Sequence, residues 1–556
     1  MLLYTVVTVY LVASTQLAAN AVIVETEGGP VRGNVGDYCA SFFGIPYAAP
    51  PVAENRWRPP QPASPWREVL NTTTDNKPKC LQLPDAGALN IPEGWVEGLE
   101  ELLLHEGSDF MDEDCLFIDV QTPTVTTESK LPVLVYVHGG TNLAGSGSGK
   151  DAASICERQV VFVSMNYRLG VLGVLGLPEL RRESGTTGNY GLQDQRAALA
   201  WVQRNIARFG GDPSRVTIAG ESSGAMAVAA HYALPRSAPL FSQGIIMSGN
   251  DDSLTLQEAY AVGSRYAAHM GCQRGLGRLA CLRLHPARML VNSQTSSYNQ
   301  SMRSLQVPVV DGYELPLGSL LRERYTTPGA LTPKRLLAGT NLNDSSLFLG
   351  PTLIEVLEFG RVSERELKEA ITRFLPHSTE DNRSAVLRMY APWRYGGSAQ
   401  QALYDLSTDG YFTCPTRRIL RAAREVGAFQ YVFMPSLSQP AAAFGLPSWL
   451  NPVVEVLAPW LGSFHGANEV LFWNANATAS ALSPAERALG TRMNDLWSQF
   501  VHGRDPWPSS GGGSNPFLAL NDGQDRVGES WHAKQCALLE QFRFFWNPPT
   551  LTGLPS

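Results

Sequence analysis

What constrains this chain most is a recurrence: short, largely β-branched apolar runs, each followed by a stretch with helical character. The runs occupy residues 131–137, 160–164, 216–219, 244–247, 335–339 and 430–434. A strand that faces solvent on one side alternates apolar with polar residues, whereas a strand covered on both sides reads as a nearly continuous apolar run. Helices between such strands supply the crossovers that parallel pairing needs. The pattern therefore predicts an α/β fold with a large, mostly parallel central sheet flanked by helices. Residues 193–209 form one of the predicted helices, with Ala197, Ala200, Trp201, Ile206 and Phe209 mostly on one side. Residues 352–425 read as further helices covering the sheet, for example over 363–374.

Composition agrees with a packed enzyme-sized body and excludes several classes. The 556 residues are 44% hydrophobic and 17% charged, too apolar for disorder. Lys+Arg number 44 against 51 Asp+Glu, a net charge of −7 without a basic cluster, so nucleic acid is excluded as an expected partner. Residues 1–21 form an apolar stretch ending in Ala19-Asn20-Ala21, the small-x-small pattern of a signal-peptidase site, although it lacks a basic n-region. The expectation is a removable signal over 1–21, one domain over 22–556, and a secreted or lumenal protein. Pro447, Pro452 and Pro459 interrupt the apolar segment 444–464 too often for a membrane span. Eight cysteines fit an oxidising compartment, and none forms a CxxC or a Cys/His cluster with zinc spacing, so no metal is expected. Sequons begin at Asn71, Asn299, Asn343, Asn382 and Asn476.

The chemistry begins at Gly220-Glu221-Ser222-Ser223-Gly224, between the predicted strand 215–219 and an Ala-rich helical stretch, 225–234. A strand-to-helix turn this tight needs small flanking residues and lifts the central serine hydroxyl above the sheet. A serine hydroxyl is a weak nucleophile that needs a base, and the base needs an orienting carboxylate. Of the later histidines, His465 stands out, because Gly462-Ser463-Phe464-His465-Gly466 surrounds it with small residues. His231 lies in the elbow helix itself and reads as packing or surface. For the acid, the strand 335–339 runs into a loop carrying Asp344; an exposed helix-capping aspartate is the alternative reading. Strand 131–137 runs into His138-Gly139-Gly140-Thr141-Asn142, whose glycines let the main chain aim amides at a reacting carbonyl. The amides of Gly140, Thr141 and Ser223 are the expected oxyanion donors. Residues 144–151 mimic a phosphate-binding loop, but Ala144 replaces its first glycine and Asp151 the hydroxyl residue after Lys150.

At this point the sequence resembles the type-B carboxylesterase family of cholinesterases and lipases. The matching stretches run in order through nearly the whole chain: Phe43-Gly44-Ile45-Pro46-Tyr47-Ala48, Glu113-Asp114-Cys115-Leu116, His138-Gly139-Gly140, Asn166-Tyr167-Arg168-Leu169-Gly170, Gly188-Asn189-Tyr190-Gly191-Leu192, Asp194-Gln195, Gly220 to Ala225, Ser248-Gly249, Phe464-His465-Gly466 and Trp507-Pro508. The resemblance implies the α/β-hydrolase fold with flap and helical insertions, and a serine ester hydrolase with Ser222 as nucleophile, His465 as base and then acid, and Asp344 as orienting carboxylate. Most members have Glu at that place; bile-salt-activated lipases similarly have Asp. Thr141 stands where the family usually has Gly or Ala. The family's disulfides map onto Cys80 with Cys115, Cys272 with Cys281, and Cys414 with Cys536, leaving Cys39 and Cys156 to pair, to stay buried or to react elsewhere.

Within the Cys80–Cys115 loop lies a long apolar flap containing Trp95, similar to a lipase lid that meets a lipid surface; leucines packed on the body are the alternative. Glu221 either tunes His465 or is a buried hydrogen-bonded acid. The implied substrate is a small-molecule or lipid ester, with no cofactor. A non-catalytic adhesion protein of the same fold and a cholinesterase-type subclass are the alternatives. Because the site residues spread from position 138 to position 465, dividing the chain into domains of about 150 residues would cut the site apart.

Overall fold

The computed structural model describes residues 21–82, 110–272, 277–296, 307–346, 348–349, 362–439, 461–474, 482–510 and 514–544. Residues 1–20 of the expected signal, the flap with Trp95, the proline-interrupted segment up to residue 460 and the sequons at Asn299 and Asn476 lie outside them.

Every one of the six apolar runs is a strand of one thirteen-stranded sheet, and all six belong to its parallel part. In chain order the sheet contains β1 (Ala21–Glu25), β2 (Pro30–Val35), β3 (Ala40–Pro46), β4 (Phe117–Thr122), β5 (Leu131–Val137), β6 (Val161–Met165), β7 (Gly211–Glu221), β8 (Gln243–Met247), β9 (Arg335–Asn341), β10 (Ala428–Phe433), β11 (Pro516–Leu520) and β12 (Arg526–Glu529); a short strand, Leu70–Asn71, pairs with β2. The spatial order is β1-β2-β3-β4-β6-β5-β7-β8-β9-β10-β11-β12, parallel from β6 to β11 and antiparallel at both margins. The periodicity of two distributes side chains to two apolar layers. Val133, Val135 and Val137 of β5 enter one, and Leu134 and Tyr136 enter the other.

Helices cover both faces. The expected helix at 193–209 is α1 (Tyr190–Asn205) followed by a tighter turn, Ile206–Phe209. Trp201 of the expected face is buried, as are Ile206 and Phe209 in the turn, whereas Ala197 and Ala200 are only half-buried and Ala198, Leu199 and Val202 face inward instead. The elbow helix is α2 (Ser223–Ala233), buried along its whole length, with His231 fully buried on Ser237 Oγ (2.8 Å) and Gln195 Oε1 (3.1 Å). The middle region forms α3 (Glu364–Phe374), α4 (Glu380–Met389), α5 (Ala399–Thr408) and α6 (Cys414–Arg421), with a π-helical turn, Asp409–Thr413, joining the last two. Ser363 and Glu366 close a capping box that starts α3 where the polar-apolar interleaving begins. Of this group α6 meets β9 and β10, whereas α3 to α5 pack a separate apolar cluster around Phe374, Tyr390 and Leu403, so the region covers the sheet only in part. On the opposite face α7 (Ala467–Asn474) and α8 (Pro484–Val501) fill the second layer.

Disulfides join Cys80–Cys115, Cys272–Cys281 and Cys414–Cys536, the pairs the resemblance implied, and a fourth joins Cys39–Cys156. That bridge ties the β2–β3 turn to the short helix before β6, so the two unassigned cysteines are each other's partners. His285 comes within 3.6 Å of Cys272, but both sulfurs of that cluster are committed to the disulfide. No helix among the described residues is long and apolar enough to cross a membrane.

Candidate active site

The elbow follows from close approach. Gly224 packs so tightly that a Cβ there would lie 2.1 Å from the carbonyl oxygen of Val137, and one at Gly220 would lie 2.5 Å from Gly224. Only glycine fits both flanks, and the turn between them forces Ser222 to φ 56°, ψ −126°, a strained conformation for a residue with a side chain. Its amide donates to Met247 O at 3.0 Å, which anchors the turn to β8. Ser222 thus stands at the carboxyl end of β7 and the N-terminus of α2, where ligands of open α/β sheets bind.

Asp344 and His465 reach the same edge from other strands. Asp344, fully buried, follows β9; its Oδ2 accepts from the Asn341 amide at 2.9 Å and its Oδ1 meets His465 Nδ1 at 2.7 Å. An exposed capping aspartate is therefore not what this residue is. His465 itself lies in the loop before α7, and Asn341 Nδ2 donates to the neighbouring Phe464 carbonyl at 2.6 Å, holding that loop on β9. The other ring nitrogen, Nε2, lies 3.2 Å from Glu221 Oε1, beside the elbow, in a geometry too poor for a hydrogen bond. Nor does Ser222 Oγ bond to Nε2: among the described residues Nε2 has no hydrogen-bond partner. Such links are often long without substrate and tighten when it binds. Asn343, the sequon beside the acid, is occupied with the histidine loop, its amide donating to Ser463 O at 3.0 Å.

Electrostatics couple the two acids to the ring. Burial pushes Glu221 up to about 8. Burial also lowers His465, but the charge of Glu221 and the hydrogen bond and charge of Asp344 outweigh it, and the imidazole is held above its ordinary value. Phe348 and Phe412 cover the ring, with centroids 4.8 and 5.1 Å from it, and exclude water from that side.

The glycine loop after β5 completes the group. Gly140 has φ +102°, and a Cβ there would lie 2.2 Å from Ala144 O, so the turn requires glycine. Thr141 and Asn142 follow at φ +58° and +57°, and Thr141 Oγ1 donates back to Gly140 O at 2.7 Å. His138, buried and stacked on Tyr167 at 4.3 Å, is lowered to about 4 by burial and stays neutral. Gly140, Thr141 and Ser223, the expected donors, thus belong to two segments facing each other across the elbow.

A second layer was not apparent from sequence. Glu469 on α7 accepts from Tyr136 Oη and from Trp473 Nε1 (2.9 Å) and lies 3.5 Å from Lys150 Nζ. Lys150, the residue of the phosphate-loop mimic, also sits 5.3 Å from the Trp473 ring. The signal for this layer was the His465-to-Glu469 spacing at the start of a helix, one turn apart.

Comparison with known proteins points the same way. The model of a family described as the carboxylesterase family matches residues 20–539. The acetylcholinesterase of Bungarus fasciatus is 28% identical over 567 residues, covering 94% of this chain and 86% of that protein. The acetylcholinesterase of Danio rerio is 28% identical over 580 residues, covering 94% and 88%.

Proposed function

Since the chain belongs to the carboxylesterase family, which makes it a carboxylic ester hydrolase by kinship, we propose that it works through an acyl-enzyme formed on Ser222. Ser222 Oγ attacks the ester carbonyl while His465 Nε2 takes its proton. The tetrahedral oxyanion is held by the amides of Gly140, Thr141 and Ser223. Collapse breaks the carbon–oxygen bond to the alcohol, and His465 returns the proton to the departing alkoxide. Water, deprotonated by the same nitrogen, then releases the acid and frees Ser222. Asp344 fixes the ring so that Nε2 faces the elbow. The single observation that carries this reading is the 2.7 Å bond from His465 Nδ1 to Asp344, which turns the opposite nitrogen toward the Glu221–Ser222 turn.

The substrate class is a small-molecule carboxylic ester, and the four disulfides fit an oxidising, secretory route. A fluorophosphonate probe tests the mechanism. Covalent labelling of the wild type is expected, with its abolition in Ser222→Ala. A folded wild type that resists the probe overturns the catalytic reading and favours a binding protein of the same fold. Rates on short-acyl, long-acyl and choline esters, with and without an emulsion, then place the subclass.

A further inference from the structure

In the reaction above only the backbone of Ser223 acts, yet its side chain is buried at the junction of the elbow and the glycine loop. The Asn142 amide donates to Ser223 Oγ at 3.0 Å. The Tyr167 hydroxyl donates to the His138 carbonyl at 2.6 Å. Both bonds end on the same five-residue loop, His138 to Asn142, and the acceptor of the first lies on the residue after the nucleophile.

We propose that these two buried bonds, from Asn142 N–H to Ser223 Oγ and from Tyr167 Oη–H to the His138 carbonyl, form a positioning device that aims the loop's amides and the Ser223 amide at one oxyanion. The inference rests on the esterase reading. The loop needs such a device, because Thr141 and Asn142 occupy the left-handed region that residues with side chains rarely adopt, and such backbone persists only where the surroundings fix it. Ser223, Tyr167 and His138 are each at most 3% exposed, so no water competes for these bonds. The His138 ring stacks on Tyr167, which holds the phenol in register with the carbonyl it serves. Ser223 therefore carries two roles, a donor through its N–H and a clip through its hydroxyl. Tyr167 acts only through the loop and is a positioning residue.

Ser223→Ala keeps the amide and removes one bond to the loop; Tyr167→Phe removes the bond at the loop's other end without touching the elbow. Losing an oxyanion donor outright costs on the order of 100- to 1,000-fold, so misaiming donors is expected to cost roughly tenfold or more. The measurements are the fluorophosphonate labelling rate, kcat and KM on a p-nitrophenyl ester, and the affinity for a trifluoromethyl ketone relative to the methyl ketone of the same chain length. The first ketone forms an oxyanion on the serine and the second does so poorly. Each variant is expected to lose that factor in labelling rate, kcat and the ketone ratio, with KM within about threefold. Variants labelled at the wild-type rate overturn the positioning role alone, as does a loss confined to KM and melting temperature with the ketone ratio unchanged. Should Ser223→Ala not fold, Tyr167→Phe carries the same test. A wild type that is folded but unlabelled overturns the positioning role together with the esterase reading.

Discussion

His465–Asp344 and His532–Asp409 are built alike. In each, a carboxylate oxygen meets histidine Nδ1, at 2.7 Å in the first pair and 2.6 Å in the second. Both carboxylates are buried, and both imidazoles are held above their ordinary value, the aspartate outweighing burial in the second pair as it does with Glu221 in the first. What differs is the far side of each ring. His465 turns Nε2 toward Glu221 and the strained Ser222 turn, with a glycine loop opposite. His532 stacks on Trp531 at 4.3 Å, and Tyr390 Oη donates to the remaining Asp409 oxygen at 2.7 Å. That second pair clamps the π-helical turn Asp409–Thr413, whose Phe412 covers His465. An oriented, charge-stabilised imidazole is thus common to a structural clamp and a site proposed for catalysis. A nucleophile and preorganised amides make the difference.

The largest expected effect separates the two pairs directly. Asp344→Asn should lower kcat by about 10⁴-fold through loss of the correct ring tautomer, with the fold intact. Asp409→Asn should leave kcat within about tenfold while lowering unfolding stability by about 1–3 kcal/mol, the cost of unpairing buried polar groups. Equal losses of turnover in the two variants would erase the distinction. A smaller effect is read in pH. Glu221 raises His465, so Glu221→Gln should lower the imidazole's pKa, keep the base neutral at lower pH, and move the acid limb of the kcat/KM profile downward. An unmoved limb would make Glu221 a buried acid with no hold on the base. The smallest effect is in stability. His532 is raised above 6.5, so the Asp409 pairing contributes fully below that pH and fades as pH rises through the raised value. The melting-temperature gap between wild type and Asp409→Asn should therefore be wider at pH 5.5 than at pH 9, and the opposite trend would contradict the assignment.

Much of this architecture was legible because burial on two faces leaves a continuous apolar signature. Six of the seven parallel strands were readable, all but β11, as was the strand-turn-helix around Ser222. The antiparallel margins were not: β1, whose run Ala21–Val24 adjoins the expected signal, exposes most of its residues, and β12 is exposed at three of four and carries neither a run nor a clear alternation. The expected face of α1 held at Trp201 but not at Ala197 and Ala200, because these are as apolar as Ala198 and only packing decides which alanine faces inward. Histidines gave a similar lesson. The small residues around His465 marked it, whereas nothing near His532 announced a second aspartate pair.

The sequence by itself determined the strand–helix alternation, the glycine-flanked Ser222 and the His138 to Asn142 loop, since these depend on local sterics and local burial, and it marked Asp344 and His465 as candidates. Only the tertiary structure decided which groups meet. It paired Cys39 with Cys156, set Lys150 against Glu469, clamped Asp409 with His532, and seated the Ser223 hydroxyl on the Asn142 amide. These contacts join segments far apart in the chain, and their partners are chosen by the order in which strands lie side by side, which no local pattern encodes.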